Sequence, residues 1–153
     1  ERALSHAPAS AIRLCDLNVR EPFATRAIVD RALGLASVLK LNEGELAVLG
    51  RLFEQSDVVS WLLGTRGIEL VAVTRGARGA LLATRAERVE HPGFALSSPN
   101  GDAVGAGDAF SATLGLELWR GSSLPQSLER ANRYASHVAS QRGGMPPPPA
   151  APR

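Results

Sequence analysis

Apolar and polar positions change their spacing several times along the chain, and each change predicts an element. Ala11 to Leu17 (AIRLCDL) sets Ile12, Leu14 and Leu17 in loose alternation, the pattern of a buried strand. Residues 24–36 then space Ile28, Ala32 and Leu35 as one face of a helix. Ser37 to Leu41 (SVLKL) predicts a short strand, and Asn42 with Glu45 forms a capping-box arrangement ahead of Leu46, Leu49 and Phe53. Ser56 to Arg66 (SDVVSWLLGTR) predicts a helix capped by Ser56, with Trp61 in the core. Ile68 to Thr74 (IELVAVT) is apolar enough for a strand buried on both faces at the centre of a sheet. TRGARG, Thr74 to Gly79, has the form of a glycine hairpin leading into a return strand, Ala80 to Thr84, and a further short strand over Arg88 to Glu90. Ala109 to Trp119 predicts a helix. Ser123 and Pro125 open another, with its stripe at Leu124, Leu128, Ala131, Ala135 and Val138. Strands alternating with helices predict an α/β fold, a sheet with helices on both faces.

Composition narrows this picture. The chain has 153 residues, a length typical of one domain, and 44% hydrophobic residues, enough for a real core. A net charge of +2 with no basic run argues against a nucleic-acid partner. No apolar run is long enough to span a membrane, and no signal peptide is recognisable. The lone Cys15 rules out an internal disulfide and suits a reducing, cytoplasmic setting, with the thiol a strand residue rather than a nucleophile. His6, His91 and His137 do not have metal-ligand spacing. The division expected is a domain over 1–144 and a proline-rich, disordered tail over 145–153.

The chemistry concentrates in GDAVGAGDAFSATL, residues 101–114. Gly105, Ala106 and Gly107 leave backbone N–H groups unshielded just before a helix, and a helix N-terminus carries unpaired amides and positive potential. Asp108 sets a carboxylate beside that anion site. Phosphoryl transfer to an alcohol needs both parts: amides to stabilise the moving phosphoryl group and a base for the hydroxyl proton. The plain alternative is a glycine loop with an Asp cap. A dinucleotide fingerprint fails because Phe110 occupies the third glycine position, and the G-K-[ST] of a P-loop is absent.

GDAVGAGDAF resembles the D-T-x-G-A-G-D-A-F signature of the ribokinase-type (phosphofructokinase-B) carbohydrate kinases, with Ala103 in place of the usual Thr. Other pieces follow in the family's order. Asp16, Asn18 and Arg20 are similar to a D-P-N-x-R segment, with Leu17 for Pro; here a charged turn and a contact with the site both stay open. Asn42 and Glu45 match N-x-x-E, Thr74 to Gly79 matches T-x-G-x-x-G, and the segment around Asn132 resembles one that flanks adenine.

The resemblance implies a ribokinase-like three-layer sandwich, of which this chain covers the C-terminal, nucleotide-binding half, fructokinase-like in detail. It implies ATP and Mg²⁺ as cofactors, with Asp108 as general base facing the substrate and the amides of Gly105, Ala106 and Gly107 as the anion hole. Asn42, Glu45, Thr74, Gly76, Gly79 and Asn132 would bind the nucleotide, Glu45 reaching Mg²⁺ through water. Asp102, Val104 and Gly143 fall where some members bind a monovalent cation such as K⁺. The partner expected is a small-molecule sugar, and a homodimer would form through the N-terminal half missing here. Capping alone also accounts for Asn42 and Glu45, and a solvated face for Asn132. The function expected is ATP-dependent phosphorylation of a sugar hydroxyl. The alternatives are a non-catalytic nucleotide-binding module and an inactive truncated fragment with an exposed sheet edge.

Overall fold

Five strands lie in the sheet in the order in which they occur along the chain. The structure is a computed structural model that describes residues 6–8, 10–19, 24–98, 100–144 and 147. The strands are β1 (Leu14–Asp16), β2 (Val38–Asn42), β3 (Leu70–Thr74), β4 (Ala80–Ala83) and β5 (Arg88–His91). β1, β2 and β3 are parallel; β4 and β5 continue antiparallel. β3 is therefore the central strand, as its apolar sequence predicts. The helices are α1 (Arg26–Leu33), α2 (Glu43–Phe53), α3 (Val58–Thr65), α4 (Ala106–Trp119) and α5 (Leu124–Ala139).

The two-residue period of the strands divides the core into two layers. Leu39, Leu41, Val71, Val73, Leu81 and Ala83 face α1, α2 and α3, where they bury Val29, Leu33, Leu49, Phe53 and Leu62. Val38, Leu70, Ala72, Ala80 and Leu82 face the other way and bury Phe110, Leu114, Leu128 and Ala131 of α4 and α5. Helices cover both faces of the sheet, as a largely parallel arrangement requires.

Three local expectations shift. In α1 the buried face is Val29 and Leu33, not the stripe through Ile28, which is 59% exposed. The adjacent apolar pair Ile28–Val29 fits either stripe by period alone, and packing against the sheet selects Val29. The cap of α3 is Asp57, whose Oδ1 accepts from the Ser60 amide at 3.1 Å, and not Ser56. Asp57 stands one residue nearer the helix, and its carboxylate reaches both the amide and the hydroxyl of Ser60. The helix expected from Ala109 begins at Ala106, which carries Asp108 into its first turn. Apart from Pro147, the proposed tail over 145–153 lies outside the described residues, as does Arg20.

Candidate active site

The three parallel strands all end on one side of the sheet, where ligands of open α/β folds gather. Asp16, Asn42 and Thr74 are their last residues. Register places Asn42 beside Thr74 and Asp16 beside Lys40.

Gly105 is the N-cap of α4, with φ of 77° and ψ of −8°, a left-handed conformation that glycine adopts without a Cβ penalty. A Cβ there would also lie 2.5 Å from the Gly144 carbonyl oxygen. The turn entering α4 uses one of the four amides of 105–108: Ala106 N–H donates to the Ala103 carbonyl at 3.2 Å. That removes Ala106 from the expected anion hole, because the bond that closes the turn occupies its donor. The amides of Gly105, Gly107 and Asp108 find no acceptor among the described residues. Asp108 is exposed, and its carboxylate makes no hydrogen bond or ion pair among those residues. The arrangement is an open set of amides with a free acid beside it.

Beneath this turn lies a feature with no assigned role at the sequence level. Lys40 is only 6% exposed, and its Nζ donates to both oxygens of Asp16, at 3.1 and 2.9 Å. Ser111 Oγ lies 2.9 Å from Asp16 Oδ2 and 3.0 Å from the Gly107 carbonyl oxygen. A Cβ on Gly107 would stand 3.0 Å from Lys40 Nζ. A side chain at 107 would require the ammonium beneath it to give way. The Asp16 side chain reaches across to β2 and α4, so the charged-turn reading of this residue does not hold. The signal available in the sequence was a lysine inside the otherwise apolar run SVLKL. Asn18, two residues on, adopts a positive φ of 37°.

Asn42 and Glu45 form the capping box that their spacing predicts. Asn42 Oδ1 accepts from the Glu45 amide at 2.9 Å, and Glu45 Oε2 accepts from the Asn42 amide at 2.7 Å. Glu45 is buried, and its second oxygen accepts from the Val19 amide at 3.2 Å, which ties the segment after β1 to α2. Both carboxylate oxygens are therefore engaged by amides. Among the described residues no three His, Cys, Asp or Glu side chains cluster as a metal cage. With both oxygens committed to amides, Glu45 keeps no carboxylate oxygen without a donor for direct ligation of a metal ion.

The Thr74–Gly79 segment is a hairpin turn containing a short 3₁₀ helix over Gly76–Arg78. Arg78 pairs with Glu43 at 2.5 Å, which joins this turn to the first turn of α2 next to Asn42. Asn132 is buried on α5 and donates Nδ2 to the Leu128 carbonyl at 2.9 Å, which excludes the solvated-face reading. Asp102 accepts from the Val104 amide at 3.1 Å and the Gly143 amide at 3.2 Å. The three residues expected at a monovalent-cation site thus meet through hydrogen bonds of their own, and no observation favours K⁺. Cys15 is half-buried on β1; burial, then the neighbouring Asp16 charge, pushes its thiol above the usual range and away from nucleophilic use.

The family model of pfkB carbohydrate kinases matches residues 1–151. The chain is 34% identical over 119 residues to the ATP-dependent ribose-1-phosphate kinase of Halopiger xanaduensis, covering 78% of this chain and 38% of that enzyme. Its fold superposes on fructokinase with bound ATP from Xylella fastidiosa with a TM-score of 0.79 at 24% identity, covering 94% of this chain and 50% of that one. A ribokinase II from E. coli in complex with ATP and Mg²⁺ gives a TM-score of 0.74, also at 24% identity, over 85% of this chain and 42% of that one. The fold is that of the ribokinase-type kinases, and the chain spans half or less of the length of these relatives.

Proposed function

The chain belongs to the pfkB family of carbohydrate kinases, and from that premise we propose that its intact protein transfers the γ-phosphate of ATP to a hydroxyl of a sugar. The single observation that carries this reading is the pairing of three open amides, at Gly105, Gly107 and Asp108, with the exposed and unpaired carboxylate of Asp108. The amides stabilise charge on the equatorial oxygens of the moving phosphoryl group. Asp108 accepts the hydroxyl proton as the sugar oxygen bonds to the γ-phosphorus and the bond from phosphorus to the ADP oxygen breaks. The value of the carboxylate lies in its position, because the hydroxyl proton becomes acidic only as the new bond forms.

The Thr74–Gly79 turn and Asn132 border the nucleotide. Asn132 shapes the adenine side by its bulk, since its Nδ2 is committed to Leu128. A Mg²⁺ ion bound with the nucleotide would supply charge neutralisation at the phosphates. Asn42 and Glu45 hold the strand end that faces it, with Glu45 acting through water.

The expected result is that Asp108→Asn in the intact protein lowers kcat by at least ~10²-fold, the lower end for loss of a general base, with ATP affinity retained. Unchanged turnover would remove Asp108 from the chemistry. A second reading is nucleotide binding without turnover, in which the open amides of 105–108 hold phosphate and Asp108 takes no proton. Calorimetry with ATP and a coupled assay with a panel of sugars separate the two: heat without sugar-dependent ADP release supports the binding module.

A further inference from the structure

Lys40 is costly where it stands. Val38 before it and Ala72 beside it on the same face of the sheet are apolar and buried, and an ammonium taken out of water is penalised by several kcal/mol unless well paired. Both of its hydrogen bonds go to the single carboxylate of Asp16, although an ammonium has three donors. It also lies against the first turn of α4, at the position a Gly107 side chain would otherwise approach. The N-terminus of a helix carries partial positive charge. A second positive charge placed there is unfavourable in the free protein and becomes favourable when an anion sits on the amides. Asp16 offsets that repulsion in part, and Ser111 ties Asp16 to the same helix turn.

We propose that Lys40 sets the affinity of the amide turn for a polyphosphate, acting by its field from beneath Gly107, and that Asp16 and Ser111 are positioning residues that hold it there. The inference rests on the reading that the turn at 105–108 binds nucleotide phosphates. It adds to that reading a reason for a buried Lys–Asp pair at the ends of β1 and β2, where an apolar pair would pack without penalty. Gly107, at a non-positive φ, leaves the ammonium room to lie this close to the turn.

The test compares ATP with AMP, which lacks the β- and γ-phosphates. Affinities of the intact protein are measured by displacement of a fluorescent ATP analogue. Lys40→Met is expected to weaken ATP by about tenfold or more, the scale of one charge pair in a partly screened site, and to leave AMP within about twofold. Because Lys40→Met strands the Asp16 carboxylate, D16N/K40M removes both charges and serves as the folded control, checked by a cooperative melt. It is expected to show a selective loss smaller than that of K40M, because the opposing Asp16 charge is removed with the ammonium. ATP affinity equal to that of the unsubstituted protein, in a folded K40M or D16N/K40M protein, overturns the inference. So does an equal loss for ATP and AMP, which marks a role in the fold alone. If the unsubstituted protein displaces the analogue with neither nucleotide, the phosphate reading of the turn fails first and the Lys40 inference falls with it.

Discussion

At the scale of single residues, Glu117 shows how one carboxylate organises a junction. It is 3% exposed on α4 and accepts from Ser122 at 2.7 Å, Arg130 at 2.5 Å and Arg120 at 3.2 Å, joining the end of α4 to α5. The Ser122 hydroxyl, followed by the two guanidinium groups, holds its carboxyl below the usual range despite the opposing effect of burial. A depressed carboxyl stabilises the fold above its unfolded value, about 4.3 for Glu, and that contribution is lost as pH falls through the lower folded value. The melting temperature is therefore expected to fall as pH drops below about 4.3. In Glu117→Gln the melting temperature at neutral pH falls, and its further decline across the acid window is shallower. An unaltered acid slope in the variant would remove Glu117 from that transition. This junction was not legible in the sequence, since Glu117, Ser122 and Arg130 follow no local spacing rule. Asn42 and Glu45 were legible, because a capping box is local: three residues fix both partners. Lys40 was hidden for a similar reason to Glu117. Its partner Asp16 is 24 positions away, and Ser111, which bonds Asp16, is 95 positions from that carboxylate; the three come together only when β1, β2 and α4 pack.

At the scale of elements, boundaries followed local chemistry where that chemistry was unambiguous. The strands β2 and β3 fall within a residue or two of the apolar runs that predict them, and α5 begins where Ser123 and Pro125 place it. Two departures came where neighbours were equivalent by pattern, Ile28 with Val29 and Ser56 with Asp57, and packing and reach chose between them; the third is the start of α4 at Ala106, ahead of its apolar run. The Thr74–Gly79 turn offers a paired test of what each glycine does. Gly76 has a φ of 59° and open space around a would-be Cβ. Gly79 has φ and ψ of 77° and −139°, close to a region that is essentially glycine-only, and its Cβ would collide with the His91 carbonyl oxygen. Gly76→Ala is expected to cost about 1 kcal/mol, the usual left-handed penalty. Gly79→Ala is expected to cost about 3 kcal/mol or more, at the upper end for single substitutions. Urea denaturation of both variants measures the difference. Equal losses would mean that backbone conformation alone, and not the contact with the β5 end, fixes this turn.

At the scale of the whole molecule, the two edges of the sheet are unlike each other. β5 is guarded by charge: Arg88 and Glu90 are exposed and paired at 3.1 Å, a pattern that discourages another strand from docking. β1 is only three residues long and pairs, among the described residues, with β2 alone. Beside it Trp119 is 76% exposed, Leu116 43% and Ile12 37%, and Ile12, Leu14, Leu118 and Trp119 line a shared cleft. An unguarded edge with apolar side chains around it favours association. The 153-residue chain expressed alone is therefore expected to self-associate from micromolar concentration upward, and an I12K/W119K variant to shift toward monomer. Concentration-dependent sedimentation and light scattering read this directly. Both substitutions fall on the side of the sheet away from β5, and Trp119 closes α4 at the end opposite Asp108, so secondary structure should be unchanged in the variant. A chain that stays monomeric without the substitutions would show that β1 and its apolar surround are already shielded.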